Sequence, residues 1–422
     1  MLMKISINKS SVAHVIKIIL LLSFMLLASP ISFSEDIKMG SNSLQNGSSS
    51  KYQEIQILAE RGDPQAQNDL GDMYYYGKGV TQDYQQAFKW YFKAAEQGAP
   101  EAQYNLGFLY SRGEGVAQDY HEAFKWYSKA AELGHPKAQF NLGVMYKRGQ
   151  STTQNYQQAF KWYFKAAEQG IPQAQFNLGL MYLTGQGITQ DNLQAFKWFS
   201  KAAEQGHPKA QFNLGYMYDI GQGTTQDYQQ AFKWYSKAAE QEIPRAQFNL
   251  GVMYNSGQGT TQDYQQAFKW YSKAAEQGYP EAQFNLGSMY DSGQGTTQDY
   301  QQAFKWYSKA AEQGIPQAQF NLGLMYYNGQ GITQDYQQAF KWYSKAAEQG
   351  IPQAQFNLGS MYYHGEGVSQ DYIISYMWFY IAGSNGNENA MKARDKYTEK
   401  MTKSQIEKAQ LMAQEWIKKH SQ

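Results

Sequence analysis

The sequence predicts an all-α solenoid of nine 36-residue helix-turn-helix repeats with a C-terminal helical cap, and three observations carry that prediction. Proline recurs every 36 residues, at Pro64, Pro100, Pro136, Pro172, Pro208, Pro244, Pro280, Pro316 and Pro352, without a slip. Tryptophan keeps the same step from Trp90 to Trp378. The stretch DYQQAFKWYSKAAEQG occurs letter for letter from Asp263, Asp299 and Asp335, with near copies from Asp83, Asp119, Asp191 and Asp227. A catalytic motif needs to occur once. A packing unit has to recur, because every copy meets a near-identical neighbour.

The copy starting at Pro172 justifies each element. Proline suits the first turn of a helix, where its missing N–H has no intrahelical acceptor, and Gly185 can take the left-handed conformation that ends one. That defines helix A. Asp191 with Gln194 three residues on has the form of a capping box, and Gly206 closes the second helix, helix B. In the copy from Asp263, Ala267, Trp270, Tyr271, Ala274 and Ala275 share one face of helix B, while Gln265, Lys269, Lys273 and Glu276 share the other. The alanines let backbones approach, and Trp and Tyr are expected to fill the space between pairs of helices.

Residues ahead of the repeats read differently. Lys4, Lys9 and Lys17, an apolar run from Ile18 to Ala28, then Pro30, Ser32 and Ser34 follow the order of a secretory signal peptide. The run is shorter than the roughly 20 apolar residues of a membrane span, so cleavage near Ser34 is expected, with an uncleaved anchor as the alternative. Residues 1–34 are thus assigned to the signal, the Ser/Gly-rich residues 35–50 to a flexible linker, 51–387 to the solenoid and 388–422 to capping helices. Removing the three signal lysines takes the formal charge from +1 to −2, which leaves no basic excess for nucleic acid. The absence of cysteine excludes disulfides and thiol chemistry. After signal cleavage, no membrane insertion is expected.

The pattern AQxNLGxMYxxGxGxxQDYxxAFKWYxKAAExG resembles the Sel-one-like repeat (SLR) family, relatives of the tetratricopeptide repeats, over about residues 51–422. The period of 36 and the GxG loop favour that family over the tetratricopeptide unit of 34. The resemblance implies a right-handed superhelix of helix pairs, an adaptor role in assemblies and, for exported bacterial members, envelope or host-facing functions. Three places depart from the pattern. Glu242 replaces a closing glycine, Ser151 and Asn155 blur the third loop, and in the ninth copy Ile373, Met377 and Ile381 make the polar face of helix B apolar. Candidate helices from Glu388 to Met401 and Lys403 to Lys419, with Thr402 and Gln405 in capping-box register, are expected to cover that face.

Catalytic chemistry is not indicated. His121, His135, His207, His364 and His420 show no metal-ligand spacing and read as solvated turn residues. The GQG loops lack a following GK[ST], and the recurring carboxylates read as helix caps. Some cysteine-rich members of the resembled family carry penicillin-binding or β-lactamase-like labels. Here SxxK occurs only at Ser6 to Lys9 and Ser48 to Lys51, with neither SDN nor KTG. No enzyme activity, metal or cofactor is expected.

Function is therefore sought where packing leaves the surface free. Within the Pro172 copy, Gln173, Phe176, Leu180 and Leu183 lie opposite Ala174, Leu178 and Met181. The residue after NLG runs Asp72, Phe108, Val144, Leu180, Tyr216, Val252, Ser288, Leu324 and Ser360. Three residues on stand Tyr75, Ser111, Lys147, Leu183, Asp219, Asn255, Asp291, Tyr327 and Tyr363. Such mixtures imply exposure, and similarity to the tetratricopeptide groove would place them on the concave face. Between them runs an aromatic stripe, Tyr104, Phe140, Phe176, Phe212, Phe248, Phe284, Phe320 and Phe356. It reads either as a wedge between A helices or as an accessible ladder for a partner. This stripe with Phe108, Leu180 and Tyr216 forms the candidate partner-binding set. The expected protein is an exported, periplasmic or secreted monomer that scaffolds a protein partner's peptide or helix. The rival is a cell-wall role, binding peptidoglycan or acting on it as a penicillin-binding or β-lactamase-like enzyme.

Overall fold

A computed structural model describes residues 48–420; the expected signal peptide and residues 35–47 lie outside them. The chain divides into two units, Met1–Glu54 and Ile55–Gln422, and all nine repeats belong to the second. Among the described residues every regular element is a helix. A helix over Ser48–Glu60 precedes nine pairs of alternating A and B helices, the first pair Pro64–Tyr76 and Tyr84–Glu96, the last Pro352–His364 and Tyr372–Ser384. Each A helix packs on its own B helix, and each B helix on the next A helix. That nearest-neighbour pattern is a solenoid.

The aspartate and glycine signals act as expected at the helix ends, whereas the capping box stays one-sided, because the Asp191 N–H donates to the Tyr182 carbonyl at 2.9 Å rather than to Gln194. Asp263 accepts from the N–H groups of Gln265 and Gln266, each at 3.0 Å, and Gly185 ends its A helix at φ 72°. The second glycine of the GxG loop has a further task. A Cβ on Gly259 would stand 2.2 Å from the carbonyl oxygen of Tyr228, at the start of the preceding B helix, so this loop brings two repeats into backbone contact. In the third repeat Ser151 occupies that place at φ 60°, and Glu242 takes the left-handed conformation at φ 61°. Each costs about 1 kcal/mol relative to glycine.

Tyr and Trp of helix B divide the packing between them. Tyr271 is buried within its own repeat, against Gly251 of the NLG motif, where a Cβ would approach the ring to 2.7 Å. The glycine is there to admit that ring. Trp234 lies between repeats, among Ala195, Ala202 and Ala203 of the preceding B helix and Ala210, Leu214 and Met217 of its own A helix. The Lys237 ammonium sits 4.4 Å above its ring. Tyrosine thus closes the pair, and tryptophan joins one pair to the next.

A buried amide ladder reinforces the joint. The Gln211 side chain donates to the carbonyl of Ala203 in the preceding repeat at 3.2 Å, and its oxygen accepts from Gln241 at 2.7 Å. One amide so ties three helices, and the equivalents of Gln211 make the same backward bond in every repeat. The second repeat breaks the pattern. Leu133, 57% exposed, stands where the other copies have Gln or Asn, and the Gln103 oxygen is left buried without a partner.

The C-terminal helices close the stack. Glu388 keeps the 36-residue step from Pro352, and the Asn387 oxygen accepts from the Ala390 N–H at 3.0 Å, so Glu388–Tyr397 lies where a tenth A helix would begin. It ends at Tyr397 rather than at the expected Met401, giving way to a 3-10 turn over Thr398–Lys400 as the Thr398 hydroxyl donates to the Asp395 carbonyl. Thr402 and Gln405 then form a reciprocal cap at 2.8 and 3.3 Å. The helix Lys403–His420 lays Met412, Ala413 and Trp416 over Met377, Trp378 and Ile381. The apolar face of the last B helix is covered. Among the described residues no helix is long and apolar enough to cross a membrane.

Replacing Leu133 by Gln restores the missing donor to Gln103, and chemical unfolding should show a gain of about 1 kcal/mol. An unchanged midpoint would mean that the buried oxygen is satisfied in another way.

Candidate functional site

Two rows of side chains that differ between copies lie on one side of the A helices. Of the two variable positions, only Ser288 is fully exposed; the others, Leu180, Tyr216 and Phe108 among them, are half-buried. The expected exposure is thus only partial. Neighbouring A helices and the aromatic stripe flank these side chains and shade them.

The stripe itself is mostly engaged in packing. Tyr104, Phe176, Phe212, Phe248, Phe284, Phe320 and Phe356 are half-buried, and Phe140 is buried at 5% exposure. The rings of Phe212, Phe248 and Phe284 each sit 5.8 Å from the B-helix tyrosine of the same repeat. Phe212 also packs against the cluster of Ala238, Ala239, Ala246 and Leu250 that joins its repeat to the next, which is the wedge arrangement. The next repeat then reaches over the ring: His135 stacks on Tyr104 at 4.6 Å, His207 on Phe176 at 4.7 Å, and Arg245 lies 5.4 Å above Phe212. The variable rows lie half-exposed beside this packed stripe, and the position one residue further on, from Tyr76 to His364, is exposed in every copy.

Electrostatics differ along these rows. Near the N-terminal end acids have partners: Asp72 accepts from the Tyr91 hydroxyl at 2.6 Å, and Glu114 from Tyr75 at 2.8 Å and Arg112 at 2.7 Å. Burial nonetheless raises the Asp72 pKa. In the middle, burial lowers the pKa of Lys147 and raises that of Asp291, while Asp219, raised by burial too, receives one bond from Tyr235 at 3.2 Å. Further along, a pocket of about 180 Å³ opens between the eighth and ninth repeats, lined by Leu324, Tyr327, Tyr343, Asn357 and Ser360. At the far end Tyr397 stacks on Tyr363 at 3.7 Å and covers it. No group of His, Asp and Glu among the described residues could hold a metal ion.

The family model of the Sel1 repeat matches nine times, over residues 64–98, 100–135, 136–171, 172–207, 208–242, 244–279, 280–315, 316–351 and 352–387. The chain belongs to the Sel1 repeat family. It is similar to the crystal structure of c5321, a protective antigen present in uropathogenic Escherichia coli strains with an SLR fold, at 36% identity and a TM-score of 0.54, covering 87% of this chain and 95% of that one. It is similar also to a Sel1 repeat protein from Oxalobacter formigenes, at 35% identity and a TM-score of 0.55, covering 80% and 99%. No curated protein matches the chain with significance. Sel1 repeat proteins are generally protein-interaction scaffolds and typically non-catalytic.

Within this Sel1 array two histidines depart from the solvated reading. His135 is buried and His207 half-buried, and each accepts through Nδ1 from a backbone N–H at the start of its A helix, Ala138 at 3.1 Å and Ala210 at 3.2 Å. Both are helix caps, a role that needs a neutral ring nitrogen. Glu101 bonds the other nitrogen of His135 at 2.9 Å, and that bond lowers the Glu101 pKa. His207 has no such carboxylate; burial, with Lys209 adding, lowers its pKa from 6.5 to about 4.

Between those two values the unfolded chain binds the proton that folded His207 refuses, so stability falls as pH drops from 6.5 toward 4 and is fully present above 6.5. Replacing His207 by Asn, which caps at Asn387, should make the melting temperature fall less between pH 7 and pH 5 than in the wild type. Equal slopes for the two proteins would exclude the capping role.

Proposed function

We propose that this Sel1 repeat protein is exported through its N-terminal signal and serves, without catalysis, as a scaffold in the bacterial envelope or outside the cell. It holds a peptide or helix of a protein partner along the A-helix face, the concave side of the superhelix. One observation carries the reading. Most of the recurring apolar residues are used in joints within and between repeats, whereas residues that vary from copy to copy lie half-exposed or exposed on one face of the A helices. A surface freed from packing and varied from repeat to repeat can recognise a sequence of side chains. Export is supported by the order of basic, apolar and small residues at the N-terminus. The similar c5321 is described as a protective antigen.

In this reading the binding set lies beside the stripe, because most of the stripe is engaged in packing. Leu180 and Leu183 become the central contacts, with Phe108 and Tyr216 on either side, and the aromatic rings form the floor. Changing Leu180 and Leu183 together to Ser should abolish crosslinking capture of envelope protein while costing less than about 2 kcal/mol of stability, since both are already half-exposed. Capture by muramyl polymer instead, with protein capture untouched by the double change, would favour the cell-wall role and exclude this one.

A further inference from the structure

On the variable rows Asp72, at the N-terminal end, and Asp219 each accept from a tyrosine hydroxyl, whereas Lys147 and Asp291, in the middle of the array, are unpaired among the described residues. At the N-terminal end Asp72 and Glu114 each accept from a tyrosine hydroxyl. Toward the C-terminal end Glu366 accepts from Tyr327 at 2.9 Å, and Tyr363 lies under Tyr397. Between them the row three residues beyond the NLG motif carries Lys147 in the third repeat, Asp219 in the fifth and Asp291 in the seventh. All three are half-buried, yet the Lys147 ammonium and the Asp291 carboxylate have no hydrogen bond or ion pair among the described residues. Arg148, exposed beside Lys147, is also without a carboxylate. The intervening fourth repeat presents Leu180 and Leu183.

Removing a charge from water without pairing it is costly, and the chain places two of opposite sign on one row. The free protein has nothing to gain from this. A guest that brings the opposite charges in the opposite order does.

We propose that the partner segment is a polypeptide of ordered polarity, with acidic side chains over Lys147 and Arg148, apolar ones over Leu180 and Leu183, and basic ones over Asp219 and Asp291. The proposal rests on the A-helix face being the partner face. The two charged ends fix the direction and register of the guest, and the leucines supply the apolar contact. Selectivity then comes from repulsion as well, since a segment laid in reverse sets like charges together at both ends.

A random peptide library displayed against the full chain tests this. Enriched peptides should carry acidic residues toward one end, basic residues toward the other and apolar residues between, and the Asp219→Lys, Asp291→Lys double variant should turn the basic end acidic. Lys147→Met and Asp291→Asn should each weaken the enriched peptides about tenfold, while raising the melting temperature of the free protein. Enriched peptides without charge order, or an order that the double variant leaves unchanged, would overturn the proposal. If those peptides are still lost in Leu180→Ser, Leu183→Ser, the partner face stands and only the charge order falls. If they are retained, or no peptide is enriched, both fall.

Discussion

Every repeat has to fasten itself to the next through the same small set of atoms, and that joint governs the rest of the molecule. It consists of a tryptophan set among the alanines of the preceding B helix, a glutamine whose amide reaches a carbonyl in that helix, and a loop glycine close to its first turn. None of these could serve a lone helix pair. A single pair would leave the tryptophan and the glutamine facing water, so stability has to accumulate along the array rather than in any one unit.

The joint also decides where function can lie. It occupies the alanine and tryptophan face of helix B, the first residues of helix A and the loop between them, and it draws the aromatic stripe in as well. The side chains of helix A that vary between copies lie outside it. There the chain tolerates charges that packing would reject, and burial shifts Lys147 and Asp291 away from their ordinary ionisation in opposite directions. The folded array is thus regular where repeats meet each other and irregular where a guest would lie.

Much of this was legible in the sequence, because the signals are local and repeated. Proline at the start of helix A, glycine at its end and aspartate before helix B work through their own backbone or their nearest N–H groups, so one-dimensional spacing captures them. The side of the A helices that bears the variable rows was legible too. What periodicity could not supply was contact between residues far apart in the chain. Gly251 reads as one more glycine until the Tyr271 ring is set against it, and Gln211 reads as a polar surface residue until its carbonyl partner at Ala203 is seen. The exception at Leu133 held the clue, since it alone breaks the Gln or Asn at the end of helix B. The histidines misled for a similar reason. A residue before proline looks like an exposed turn, but stacking on the aromatic stripe shields it from water.

Amide hydrogen exchange in a Trp234→Ala variant tests the dependence on the joint most directly. A loss of about 3–5 kcal/mol in protection is expected, concentrated in the repeats that begin at Pro172 and Pro208 and fading toward both ends of the array. Loss spread evenly over all nine repeats, or confined to the helix that carries the substitution, would contradict it.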